Sequence, residues 1–219
     1  MSVTMAVQKI VTPAGSLSEV PRYSPVAVFL HWAIAAAIIC NLSIGMFMEQ
    51  LPGGMRTQSV KLHISIGISV LALVIVRLSW RLTHRPPPLD SYLSSIEISL
   101  ARIVHAALYP LMLALPLIGW MLISASKTSL SAHPMIFGLV PLPLPGGITH
   151  LPQPFKEQLH VRLISAHSSC AGFLAGLLTL HFAGVFKHVF LEKRPQLRRM
   201  TIAFRRKGPL GQASVDPNA

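Results

Sequence analysis

Two histidines stand fourteen residues apart in one apolar stretch, at the ends of HSSCAGFLAGLLTLH, His167 to His181. No charged residue lies between them, and an imidazole placed in hydrocarbon is costly and by default functional. On a helix, fourteen steps return to within about 40° of the starting direction and rise about 21 Å. One face then carries two nitrogen ligands at two depths. His31 and His63 lie near the starts of two other apolar stretches. Two pairs of imidazoles at two depths are what two haems require.

The elements that must hold these ligands follow from composition. Hydrophobic residues make up 52% of the 219-residue chain and charged residues only 12%, about half the charge of a soluble domain. Four windows are long enough to cross a hydrocarbon core: about 25–48, 60–79, 103–124 and 163–189. The chain divides into a leader (1–24), a four-span membrane domain (25–189) with a long loop (125–162), and a basic tail (190–219). Isolated spans would leave the histidines facing lipid, so the spans are expected to pack as one bundle.

The net charge of +12 is placed in a way that argues against nucleic acid. Fourteen of the 19 basic residues fall in segments on one side of the successive spans: Lys9, Arg22, Arg77, Arg81, Arg85, Arg102 and the run from Lys187 to Lys207. Arg56, Lys61, Lys127, Lys156 and Arg162 fall on the other. The positive-inside rule puts both termini in the cytoplasm. The tail KRPQLRRMTIAFRRK suits anionic headgroups, and it lacks the interleaved aromatics of a base-stacking surface. The leader has no continuous apolar segment of the kind a signal peptide needs. Cys40 and Cys170 both fall inside spans and read as small apolar residues.

With that orientation, His31 and His181 both lie about six residues from the inner membrane face, while His63 and His167 lie three to four residues from the outer face. The pairs match in depth without adjustment. Ala35, Gly67, Ala171, Gly172, Gly176 and Gly184 supply the small residues that let a flat macrocycle approach backbone. Structural zinc gathers four ligands at one point, which two layers do not offer. No Cys-x-x-Cys-His is present, so covalent haem attachment is excluded and the haems are b-type. Two axial imidazoles make each iron a relay for single electrons.

Four segments carry a family resemblance: RYSPVAVFLHW, KLHISIGISVLALVIVRLSWRL, HAALYPLMLALPLIGW and HSSCAGFLAGLLTLHFAGVFKH. Together they resemble the bacterial di-haem cytochrome b561 family over about residues 22–193. The resemblance implies an all-α integral membrane fold, a four-transmembrane-helix bundle enclosing two b-type haems in the bacterial inner membrane. It implies His31, His63, His167 and His181 as axial ligands, paired as above, and electron exchange with quinone. The stand-alone branch is associated with oxidising superoxide at the outer face and reducing ubiquinone, an oxidoreductase activity. The chain departs from the family pattern in its longer leader and its proline-rich loop VPLPLPGGITHLPQP, which reads as a lid or as a spacer.

Secondary positions follow. Arg77 and Arg102 are placed for the propionates of the inner haem, Lys61 and Arg162 for those of the outer haem, and any of them for quinone contact. His105 opens the third span and is expected to bond an inner propionate, shuttle a proton, or sit as a satisfied interfacial histidine. His188 is an alternative to His181 only if the haem moves. His84, His133, His150 and His160 lie in loops, the last two bordering the outer site. Leu93, Ile96 and Leu100 suggest a surface helix before the third span, and FKEQLHVRL an interfacial helix before the fourth.

Two other functions compete. One makes the chain the cytochrome subunit of a larger periplasmic dehydrogenase or hydrogenase. The other is a haem-free transporter or scaffold, which the absence of inverted-repeat symmetry disfavours.

Overall fold

The computed structural model describes residues 23–84, 87, 94–127, 134–193 and 200. Most of the leader and of the basic tail, with Arg85, Leu93 and His133, lie outside the described residues.

Helix α1 (Pro25–Phe47) is started by Ser24, whose hydroxyl accepts from the Ala27 amide, with Pro25 in the first turn where its missing N–H is harmless. A 3₁₀ turn at Met48–Gln50 leads to α2 (Gly53–Thr83). Helix α3 (Ser95–Ala125) opens on a reciprocal cap between Ser94 and Glu97 and continues through Pro110 and Pro116. Strands β1 (Met135–Ile136) and β2 (Val140–Pro141) form a small antiparallel hairpin. Its turn holds Gly138 at φ +72, a conformation that side chains disfavour. A single turn, α4 (Gly146–Thr149), precedes α5 (Gln153–Phe186), which closes on a π turn at Lys187–Leu191.

The four long helices are each long and apolar enough to cross a membrane. Ile34, Ile38, Val70, Val74, Val104, Leu108, Leu115 and Leu174 form the buried core. Large apolar side chains elsewhere point outward: Phe29 is 61% exposed, Ile103 64% and Phe173 70%. A monomer in water does not present such a surface, and a lipid-embedded bundle requires it. This is a multi-pass membrane protein.

Helical structure extends beyond the apolar windows. Helix α2 starts at Gly53, α3 at Ser95 and α5 at Gln153, because windows register hydropathy whereas a helix runs on into the polar interface. The loop before the fourth span therefore ends near Pro152 instead of at 162. Ile96 and Leu100 lie in the first turns of α3 itself, so no separate surface helix carries them. Likewise the segment from Phe155 to Leu163 is the start of α5.

The closest helix packing runs α1 to α2, α2 to α3 and α3 to α5. The ends of α1 and α5 nearest the chain termini mark one end of the bundle, here the terminal end. The other, carrying residues 134–152, is the loop end. There the Phe137 amide donates to Ser65 Oγ at 2.8 Å, Trp120 Nε1 donates to the Pro143 carbonyl at 2.8 Å, and Leu142 is buried. The proline-rich segment is thus packed against α2 and α3.

Candidate functional site

The four histidines come together as two pairs. At the terminal end, His31 of α1 faces His181 of α5 with ring centroids 6.4 Å apart. At the loop end, His63 of α2 faces His167 of α5 at 6.1 Å. Helix α5 therefore contributes one imidazole to each level, as its fourteen-residue spacing requires.

These separations fit a metal between the rings. An imidazole nitrogen binds a first-row metal at about 2 Å and the ring centre lies about 1 Å further, so linear ligation spaces two ring centres by about 6 Å. Both pairs are edge to face, an arrangement whose ring centres stand ~4.5–7 Å apart in ordinary contact, so the separations accommodate a metal and the facing of the rings at two levels is what points to one. The Nε2 atoms of all four histidines have no hydrogen-bond partner among the described residues. His63 Nδ1 lies 3.2 Å from the Asn41 carbonyl, which holds the ring in place and leaves Nε2 for a metal. His167 Nδ1 is buried beside the backbone of Leu115, one turn before Gly119, without a close hydrogen bond.

Small residues complete the loop-end pair. A β-carbon added at Gly45 would stand 3.1 Å from His63 Cε1, and one at Gly119 3.2 Å from His167 Cε1. Each ring is thus backed by bare helix backbone. Gly172, Gly176 and Gly184 of α5 meet no neighbour, and Gly172 and Gly176 lie about 140–180° around the helix from His167 and His181, away from the paired rings. Gly45, Gly119 and Asn41 were not singled out in the sequence. The Asn41 contact is made by its main-chain carbonyl, which any residue type would supply, so the sequence held no signal for it; Gly45 follows one turn later.

The secondary positions divide. His105 joins the terminal-end pair, its ring perpendicular to His181 at 5.1 Å and its Nδ1 bonded to the Ala101 carbonyl at 2.7 Å. Arg77 Nη1 donates to the Ala27 carbonyl, one turn before His31. Lys61, Arg102 and Arg162 are exposed, and their side chains make no hydrogen bond or ion pair among the described residues. His188 is held by Glu192 at 2.9 Å in the π turn, while His181 is the residue that faces His31. At the loop end, Lys127 pairs with Glu157 and Arg56 with Glu49, and His160 has a buried, unpartnered Nδ1. Cys40 and Cys170 are free thiols.

Known proteins resemble this chain over most of its length. Residues 22–202 match the family model described as prokaryotic cytochrome b561. The chain belongs to the prokaryotic cytochrome b561 family. This cytochrome b561 is 29% identical over 198 residues to cytochrome b561 homolog 2 of Escherichia coli K12, covering 89% of the chain and 94% of the relative. It is 25% identical over 183 residues to the probable superoxide oxidase CybB of Yersinia pestis, covering 82% and 95% respectively. Cytochrome b561 homolog 1 of Escherichia coli K12 is 23% identical over 181 residues, covering 82% and 96%. Membership makes the protein a membrane cytochrome of electron transport that carries b-type haem, with oxidoreductase chemistry to match.

Proposed function

We propose that this cytochrome b561 passes single electrons across the bacterial inner membrane, from superoxide on the periplasmic side to the ubiquinone pool, through two b haems. His31 and His181 would ligate one, His63 and His167 the other. The observation that carries this reading is that the four histidines face one another as two pairs, at two levels of a membrane-spanning bundle. When bound, two bis-imidazole haems supply one-electron carriers without an open coordination position.

The chain's own residues position and steer. Asn41 orients His63, and Gly45 and Gly119 let α1 and α3 approach the loop-end rings. Positive-inside charge placement supports both termini in the cytoplasm, so the loop end faces the periplasm. There Lys61 and Arg162 have no ion-pair partner among the described residues, whereas Lys127 and Arg56 are neutralised by Glu157 and Glu49. Unpaired cations near a low-dielectric wall attract an anion of superoxide's charge. They also serve as partners for loop-end propionates, as Arg102 and His105 do at the terminal end. The name of the Yersinia pestis relative points the same way.

The electrons balance simply. Each superoxide gives up one electron and leaves as dioxygen, while ubiquinone takes two electrons and two protons to become ubiquinol, so two superoxides serve one quinone.

A reduced-minus-oxidised spectrum with a pyridine haemochrome count tests the ligand set. The expected result is two b haems per chain, with one lost in His63→Ala and one in His31→Ala. A colourless folded protein, or a single haem indifferent to His167→Ala, would overturn it. Superoxide-driven ubiquinone reduction by the purified protein tests the donor and acceptor. Co-purification of an iron–sulfur subunit would instead make this chain part of a larger complex.

A further inference from the structure

A cavity lies at the terminal end, between α1, α2 and α3. Its volume is about 590 Å³, and its lining comes from the start of α1, the end of α2, Pro87 and Tyr109 of α3. No residue of α5 lines it. That volume lies within the ~300–1,000 Å³ range of small-molecule sites.

Its chemistry is one-sided. Two guanidiniums, Arg77 and Arg81, line it, and no carboxylate among the described residues does. Arg77 spends one N–H on the Ala27 carbonyl at 3.0 Å, and Arg81 stands over the Tyr109 ring at 5.9 Å. Tyr23, Ser24 and Ala27 bring the N-terminus of a 23-residue helix to the same space, adding partial positive charge. The wall opposite is rigid. Trp80 stacks on His84 at 3.7 Å with ring planes 6° apart, and its Nε1 donates to Ser24 Oγ at 3.1 Å. Tyrosine and tryptophan are side chains of the headgroup layer, where one edge is apolar and the other wet.

We infer that this cavity binds the phosphate headgroup of an anionic phospholipid in the leaflet at the terminal end, with Arg77 and Arg81 as the recognising cations. Basic pockets between spanning helices on the cytoplasmic side suit anionic headgroups. The exposed Phe29 and Leu82 on the lining helices offer apolar surface beside which acyl chains can lie. A quinone headgroup is neutral and gains little from two guanidiniums, so the charge favours lipid. On this inference Arg77 serves the cavity.

Native mass spectrometry of the haem-loaded protein with equimolar phosphatidylglycerol and phosphatidylcholine tests the inference. The expected result is preferential retention of phosphatidylglycerol, with Arg81→Gln reducing the preference about fivefold, as one cation near a headgroup warrants. Arg81 is exposed, so the variant is expected to fold, and an unchanged melting temperature checks this. Lys193→Gln removes the same charge at the same end outside the cavity and keeps the preference. No preference in the wild type, or a preference equal in Arg81→Gln, overturns the inference. Displacement by a short-chain ubiquinone would make the cavity a quinone site. Displacement by inorganic phosphate at equal concentration would make it a soluble-anion site. Either overturns the lipid assignment, and none of these readouts depends on which residues ligate haem.

Discussion

Gly119 and His167 meet across the α3–α5 contact so closely that a β-carbon on the glycine would stand 3.2 Å from the imidazole Cε1. Gly45 repeats the relationship against His63 at 3.1 Å. Both rings belong to the loop-end pair, so its geometry depends on helix backbone being bare at two places.

Gly119→Ala and Gly45→Ala therefore separate packing from propensity. Alanine in a helix interior gains about 0.5–1 kcal/mol over glycine. Overpacking against a fixed ring costs about 1–3 kcal/mol. Overpacking outweighs the gain in propensity, so each variant should lower stability and loosen the loop-end haem while leaving the terminal-end haem in place. A haemochrome count falling from two toward one, with melting temperature reduced, is the expected outcome. Two full haems and a higher melting temperature would show that the rings yield freely.

His105 makes a different prediction. It touches His181 at 5.1 Å, so a third imidazole is present beside the terminal-end pair. Its ring centre stands 5.1 Å from that of His181, closer than the roughly 6 Å that two imidazoles on one metal require, whereas His31 stands at 6.4 Å. His105→Ala should keep both haems, whereas His181→Ala should lose one. A haem lost from His105→Ala and kept in His181→Ala would reassign the ligand.

These two cases show what could be read in the chain and why. The four histidines were legible because a period of 3.6 and a charge-free window place ligands by depth with no knowledge of packing. The bundle was legible for the same reason. The extent of α2, α3 and α5 was not, since residues such as Arg56, Glu97 and Glu157 lower hydropathy without ending a helix. Gly45 and Gly119 were missed because the closeness of a glycine to a ring depends on how two helices are rotated about their axes. Periodicity within one helix does not contain that angle. Arg77 was read by depth alone, which is correct for the level it occupies, but depth does not say that it lines the α1–α2–α3 cavity.

The proline-rich segment is seated by single contacts that can be removed. The Phe137 amide donates to Ser65 Oγ at 2.8 Å, and Ser65 is 1% exposed, two residues from His63. Ser65→Ala leaves that amide without its partner and should cost about 1–3 kcal/mol locally. Hydrogen exchange at Phe137 and Leu139 should accelerate while the haem count stays at two. Unchanged exchange would mean that Trp120 and Leu142 alone hold the segment.

Orientation is open to direct labelling. Leu139 at the loop end and Leu82 at the terminal end are each 80% exposed, so cysteine at either site is reachable from its own side. In a background with Cys40 and Cys170 replaced by alanine, Leu139→Cys should react with an impermeant thiol reagent added to spheroplasts. Leu82→Cys should react only after the membrane is opened. The opposite pattern would invert the assignment of the loop end to the periplasm.

The proposed donor makes the most demanding prediction, because electrostatic capture has a signature that simple collision lacks. Lys61 and Arg162 are the exposed loop-end cations without an ion-pair partner among the described residues, while Lys127 and Arg56 already face carboxylates. If these two steer superoxide, raising ionic strength from 0.01 to 0.15 M should slow haem reduction as the screening length shrinks from about 30 to about 8 Å. Replacing both with glutamine should slow the low-salt rate by up to about tenfold and flatten its salt dependence. The charge-preserving pair Lys61→Arg and Arg162→Lys should restore both, which a loss of folding or of haem would not permit. A wild-type rate indifferent to salt would remove steering from the account and leave these cations to the propionates alone.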